Sequence, residues 1–226
     1  MLGYTPAGDE VDFLSLLSDV NRRRFLEGST QQAYPAGALV FHPGSPPTTF
    51  LIDRGLVRAY ISVPDGRQAT VGFRHAKELA GGTMVVSQVP RVLAQVVVES
   101  TLTTLDIENV RNLVSTEIEV LAALATQLSA RLRNGTRLTA IRTLGNIRER
   151  LAYDLLERAT RSQLAVGRLD VSATHEELAN SIGSSREVVS RALSSLRAER
   201  IVETVPGMIR VIDPVRLSSI LRGFEL

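Results

Sequence analysis

The chain has no cysteine among its 226 residues. That excludes disulfide bridges, cysteine-ligated iron–sulfur clusters and redox sensing by a thiol, and with them an oxygen sensor built on such a cluster. Histidine is nearly as scarce. His42, His75 and His175 are scattered, whereas a metal-dependent enzyme site inside a barrel needs several His and carboxylate ligands converging on one point, so no catalytic centre is expected. No apolar run is long enough to span a bilayer, and the start MLGYTPAGDEVDFLSLL lacks a basic stretch followed by an apolar core. A cytoplasmic chain without a membrane partner is the expectation. Positive charge is modest too: the formal net charge is +2, Lys77 is the one lysine, and from Asp170 onward seven arginines face eight acidic residues. Contacts to nucleic acid would therefore come from a few placed groups and from helix N-termini, not from a basic domain.

Against these absences, the stretch between Thr174 and Arg200 is dense in signals. Thr174 with Glu177 three residues on is a capping box that starts a helix, and Leu178 and Ile182 share one face of it. Gly183 suits the left-handed position that ends such a helix. Ser184 and Ser185 then offer an N-cap for a second helix, with Val188, Val189, Leu193 and Leu196 at the helical period. This is a helix-turn-helix pattern. The outward residues of the second helix are Arg186, Glu187, Ser190 and Arg191. An arginine fork matches the O6 and N7 of guanine, and a glutamate accepts from the amino group of cytosine. The alternative reading of the same residues is an ordinary solvated face with charges of both signs.

After Arg200 the run IVETVPGMIRVID places two β-prone segments around Pro206-Gly207, a hairpin directly behind the second helix. Helix-turn-helix plus hairpin is a winged helix. The run SSREVVSRALSSLRAERIV resembles the CRP/FNR family of transcription regulators, whose signature is Ser-Arg-Glu-x-Val-x-Arg with an apolar helix end leading into the wing.

Between Tyr34 and Leu105 short β-prone runs alternate with turn residues, Pro35-Ala36-Gly37, Pro43-Gly44, Arg54-Gly55 and Pro64-Asp65-Gly66, at about ten-residue spacing, as in an all-β roll. This spacing resembles the cyclic-nucleotide-binding jelly roll that precedes the winged helix in the same family. In members that bind cyclic AMP, a Gly-Glu-Leu element and an Arg-Ser or Arg-Thr pair hold ribose and phosphate. Here Lys77-Glu78-Leu79 and Arg91-Val92 stand at those places, so the resemblance marks Glu78, Leu79, Arg91 and Val92 as effector positions. Val92 and Lys77 weaken the chemistry that cyclic AMP requires, and a surface pair of Glu78 and Arg91 is the alternative.

From Ile107 to Leu144 the sequence reads as a long helical stretch, with Leu121, Leu124, Leu128, Leu132 and Leu138 forming a stripe. The resemblance implies that this is the central helix that pairs with its twin in a homodimer and touches the effector, with Thr136 the chemically suitable residue. Its alternative is a helix covering the roll within a monomer. Asn146 and Glu149 make another cap pair, and Leu144-Gly145-Asn146 is the natural hinge. The segment from Val11 to Leu26 reads as a helix packed on the β-prone region after it.

The expected architecture is thus α+β, with a sensor roll over 1–115, a dimerisation helix over 116–145 and a winged helix over 146–226. The resemblance implies a homodimer on a near-palindromic, TGTGA-like operator. Arg186 and Arg191 would meet guanine, Glu187 cytosine, and Ser190 a further base, with phosphates at Thr174, His175 and Ser185. RNA polymerase is the implied second partner. Control would lie with a small effector at the roll or with the abundance of the chain. A different class stays open, a ligand-sensing module whose winged helix docks on protein.

Overall fold

The computed structural model describes residues 11–42, 44–64, 68–86, 92–166 and 168–222. The Asp65-Gly66 turn and Arg91 lie outside the described residues. Among those that are described, β1 (Thr30–Tyr34), β2 (Leu39–Phe41), β3 (Thr49–Ser62), β4 (Gln68–His75), β5 (Leu79–Ala80) and β6 (Leu93–Leu105) form one antiparallel sheet in the order β1-β6-β3-β4, with β2 on β6 and β5 on β3. Phe41, Phe50, Ile52, Val57, Met84, Val96 and Leu102 meet inside this roll. The short helix α2 (Thr83–Val86) follows β5.

Arg54-Gly55, expected as a turn, lies instead within the 14-residue strand β3, at irregularities in its pairing with β6. Gly55 has φ 113°, and a Cβ there would stand 2.6 Å from Cβ of Ser100, so glycine is required by a bulge and not by a chain reversal. The opening segment is also not one helix. A single 3-10 turn (Phe13–Leu16) precedes α1 (Asp19–Phe25), because the Ser18 hydroxyl accepts from the amide of Asn21 and starts a new helix there.

The long helical stretch breaks at Glu117 into α3 (Ile107–Thr116) and α4 (Ile118–Leu144), whose directions bend by 109°. Glu117 has extended backbone, φ −115° and ψ 106°, and its carboxylate accepts from Arg24 at 2.7 Å. Among the described residues no single helix is long and apolar enough to cross a membrane. Phe13, Leu17 and Phe25 pack with Leu113, Val120 and Leu124 to close one end of the roll. The leucine stripe accordingly divides. Leu124 and Leu138 are buried, whereas Leu121 is 42% and Leu132 75% exposed.

Helix α5 (Ile147–Val166) begins with reciprocal bonds, Asn146 amide to Glu149 carboxylate at 2.8 Å and Glu149 amide to Asn146 side chain at 3.0 Å. After it come β7 (Asp170–Val171), α6 (His175–Ile182), α7 (Arg186–Ala198), β8 (Val202–Val205), β9 (Met208–Val211) and α8 (Pro214–Arg222), with a small sheet in the order β7-β9-β8. The largest core joins both halves: Leu56, Phe73 and Val97 of the roll meet Leu138 and Ile141 of α4, Leu151 and Leu155 of α5, and Leu193, Leu217 and Leu221 beyond.

Candidate DNA-reading surface

The capping box forms as its spacing predicts. The Thr174 hydroxyl accepts from the Glu177 amide at 3.1 Å, and the Glu177 carboxylate accepts from the Thr174 amide at 2.7 Å. These bonds hold the Glu177 carboxyl below the usual carboxylate range. Gly183 closes α6 at φ 62°, and the Ser184 amide reaches back to the Ala179 carbonyl. The Ser185 hydroxyl accepts from the Val188 amide and opens α7. With Val189, Leu193 and Leu196 buried, the other side of α7 must face solvent, and Arg186, Glu187 and Arg191 are exposed while Ser190 is half-buried. The Glu187 carboxylate sits below its ordinary pKa because it accepts from its own amide and from the Ser185 hydroxyl, with Arg186 and Arg191 adding to the effect. It is therefore an ionised acceptor between two arginine forks.

The three phosphate candidates stand at the two helix starts. Thr174 and Ser185 are exposed and His175 is half-buried. The Thr174 hydroxyl also donates to Glu177 at 3.0 Å, so a phosphate would compete with the cap for it. Behind the helix pair, Val205↔Met208 pairing closes the wing around Pro206 and Gly207, the latter at φ 75°. Two polar ties hold the pair to α5: Ser181 donates to Asp154 at 2.7 Å, and Arg148 makes a two-pronged bond to Glu199, both prongs at 2.7 Å.

The described effector positions, Glu78, Leu79, Val92 and Thr136, have separate surroundings. Glu78 is 2% exposed, and its two oxygens accept from Arg222 at 2.5 Å and from the His75 amide at 3.2 Å. Leu79 is buried in the apolar cluster under α4, and Val92 packs on the apolar interior of the roll. Thr136 is exposed on α4 and donates to the Leu132 carbonyl at 3.0 Å. The Glu78 carboxylate, expected to hold a ribose, thus closes an internal ion pair with Arg222 in the folded chain.

Sequence reasoning missed Arg58, Glu157 and Arg222. Arg58 of β3 is fully buried and bonds Glu157 of α5 at 3.0 Å and Thr70 at 2.8 Å, with its guanidinium 4.4 Å from the Tyr60 ring centroid. A β-prone run containing one arginine gave no local sign of that partner.

The profile of the Crp-like helix-turn-helix domain matches residues 149–220, and that of the cyclic nucleotide-binding domain matches residues 31–117. The cyclic AMP receptor protein of Thermus thermophilus is 30% identical over 195 residues, 85% of this chain and 88% of its own. The chain belongs to the CRP/FNR family. Membership makes it a transcription regulator with a DNA-binding helix-turn-helix, and members of this family are not enzymes. Solved CRP/FNR folds agree. A Crp/Fnr-family regulator from Eubacterium rectale has a TM-score of 0.57 at 20% identity, over 92% of this chain and 96% of its own. The c-di-GMP-responsive global regulator of Xanthomonas campestris has a TM-score of 0.54 at 23% identity, over 86% and 99%.

Proposed function

We propose that this regulator acts as a homodimer that reads a near-palindromic operator with TGTGA-like half-sites. Arg186 and Arg191 take guanine edges, Glu187 a cytosine amino group and Ser190 a further contact, while Thr174, His175 and Ser185 face phosphates. The observation that carries the reading is the exposed, ionised Arg-Glu-Arg edge of α7, displayed on a helix whose start and inner face are both fixed. A winged helix that docks on protein is not favoured, since the match is to a DNA-binding domain.

The dimer reading has its own support. On α4, Ile118, Leu121, Ala125, Leu128, Leu132, Gly135, Thr139 and Arg142 recur at alternating spacings of three and four, the repeat of a two-helix seam. Ile118 is 80% and Leu132 75% exposed in the single chain, and a Cβ at Gly135 would meet nothing within 4 Å. A twin helix would cover this stripe. In this reading 1–115 carries the roll, 116–145 the pairing helix and 146–226 the DNA-reading unit, with RNA polymerase the further partner.

For control, the engagement of Glu78 by Arg222 favours operator binding that does not require cyclic AMP, through another effector or through abundance. The test is binding to a duplex with two TGTGA-type half-sites about one helical turn apart, with and without cyclic AMP, at fixed salt and against scrambled DNA. Specific, nucleotide-independent binding supports the reading. Dependence on the nucleotide overturns the control part, and equal affinity for scrambled DNA overturns the assigned base contacts. Leu132→Glu should shift the dimer to monomer in sedimentation; an unchanged dimer would remove α4 as the seam.

A further inference from the structure

Besides the hinge and the bonds of α5 to the roll, such as Arg58–Glu157, the winged helix is anchored to the roll through its last helix. Helix α8 leaves the wing strand β9 and is locked to the end of the recognition helix. The Ile212 and Asp213 amides donate to the Ile201 carbonyl at 2.9 and 3.1 Å, and the Arg216 guanidinium donates to the Glu199 carbonyl at 3.0 Å. Its other end reaches the roll. The Ser218 hydroxyl lies 3.2 Å from Nε2 of His75, and Arg222 bonds Glu78 at 2.5 Å.

Glu78 is a rigid anchor. It sits in the β4–β5 turn, where Lys77 has φ 72°, the Lys77 amide donates to the Ile52 carbonyl at 2.6 Å and the Ile52 amide donates to the Glu78 carbonyl at 3.0 Å. Arg74 and Arg131 also face this carboxylate, and its charge offsets part of the cost of burying them. Beside His75 an open cleft of about 800 Å³, lined by Gly55, His75, Val98 and Val215 among others, lies between α8 and the roll, whereas toward α4 and β4 the space narrows to a cavity of about 20 Å³, lined by Phe73, Leu138 and Leu221 among others. That is room for about one water molecule. The strut is therefore packed along its α4 and β4 side, bonded at both ends and short.

We infer that Glu78, His75, Ser218 and Arg222 are positioning residues for DNA reading: through α8 they fix the recognition helix relative to the roll, and so set the half-site spacing that the dimer accepts. The inference rests on the operator reading above. A dimer whose two reading helices are each held by the hinge, by α5 on the roll and by α8 has one span between them. One extra base pair rotates and displaces a half-site, and a rigid protein loses contacts there that a loose one recovers.

Because the chain contains no cysteine, labels can be placed at will. Spin labels at Ser62→Cys on the roll and Glu203→Cys on the wing, both exposed, in full-length protein diluted with unlabelled chain, report the roll-to-wing distance. The intact strut gives one narrow distribution, and Arg222→Ala gives a broad one. In parallel, discrimination between the operator and the same operator with one base pair added to its spacer should fall from about tenfold to about twofold in Arg222→Ala. Ser218→Ala should give a smaller change in both readouts, and Arg222→Lys should restore part of each. A narrow distribution in Arg222→Ala, or a broadened one with spacer discrimination unchanged, overturns the inference. If the unsubstituted protein prefers no palindrome, the operator reading fails on its own, and the distance measurement still decides whether α8 holds the wing.

Discussion

The two ends of the recognition helix are shaped by different forces. At its start, Ser185, Arg186 and Glu187 are exposed and organised by bonds that span three residues or fewer, and the carboxylate between the arginines is tuned by its immediate neighbours. At its end, Glu199 and Ile201 are gripped by α8 and by Arg148, and through α8 the helix is tied to Glu78, a residue more than a hundred positions earlier. The first arrangement would survive in an isolated winged helix. In the second, the grip of Arg148 and α8 lies within residues 146–226, and only the tie to Glu78 requires the roll folded beneath it. Recognition chemistry and recognition geometry are thus supplied by different parts of the chain.

The largest effect expected from that division is at the buried ion pair. Glu157→Ala leaves Arg58 buried without its carboxylate, and the chain should lose about 3–5 kcal/mol of stability in urea unfolding, while half-site preference stays the same. A double Arg58→Met, Glu157→Leu variant should recover most of the loss. Next, Arg191→Ala should cost about 1–3 kcal/mol of operator affinity and relax preference at one base pair, with urea stability unaltered. Equal loss on every DNA sequence would break the comparison, since it would make Arg191 a phosphate contact.

A pH experiment sharpens the roll side. Burial pushes the His75 imidazole down to about 3, with Arg222 and Arg74 adding to the effect. The folded state therefore resists protonation that the unfolded chain accepts below its ordinary value of 6.5. Stability is fully present above pH 6.5 and declines as pH falls toward 3, by up to about 1.4 kcal/mol per pH unit for this one group. His75→Gln should flatten that slope in urea midpoints recorded against pH. The smallest effect belongs to the local side. Thr174→Ala removes one arm of the capping box and should cost about 1 kcal/mol, read as a lower thermal midpoint.

What could be read from the residues depended on the range of the interactions involved. The capping boxes at Thr174 and Asn146, the left-handed Gly183, the wing turn and the inward face of α7 all rest on contacts within one or two helical turns, and each appears where its spacing placed it. Arg54-Gly55 was misread because a glycine needed for a bulge looks, from sequence, the same as one needed for a turn. The sharp bend at Glu117 within the helical stretch over 107–144 was not legible, because Glu117 is held by Arg24, which local periodicity does not contain. Helix α8 carried a usable signal that went unread: Asp213 before Pro214 is a cap followed by proline at the first helical position, and the Asp213 side chain does accept from the Arg216 amide at 2.9 Å.

Glu78 shows most clearly where local reading ends. Its resemblance to an effector ligand rested on two neighbouring residues, yet its role in the folded chain depends on which cation reaches it: Arg222 of α8 bonds it, while Arg74 and Arg131, bonded to backbone carbonyls, feel its charge. By itself the sequence determined the elements and the chemistry displayed at the start of α7, because caps, periodicity and turn residues act over a few positions. Only the tertiary structure decided that Arg58 would find Glu157, that Arg222 would take Glu78, and how the reading helix would sit on the roll. Those outcomes depend on charges brought together across long loops, where burial sets their strength and the packed fold alone determines which partners meet.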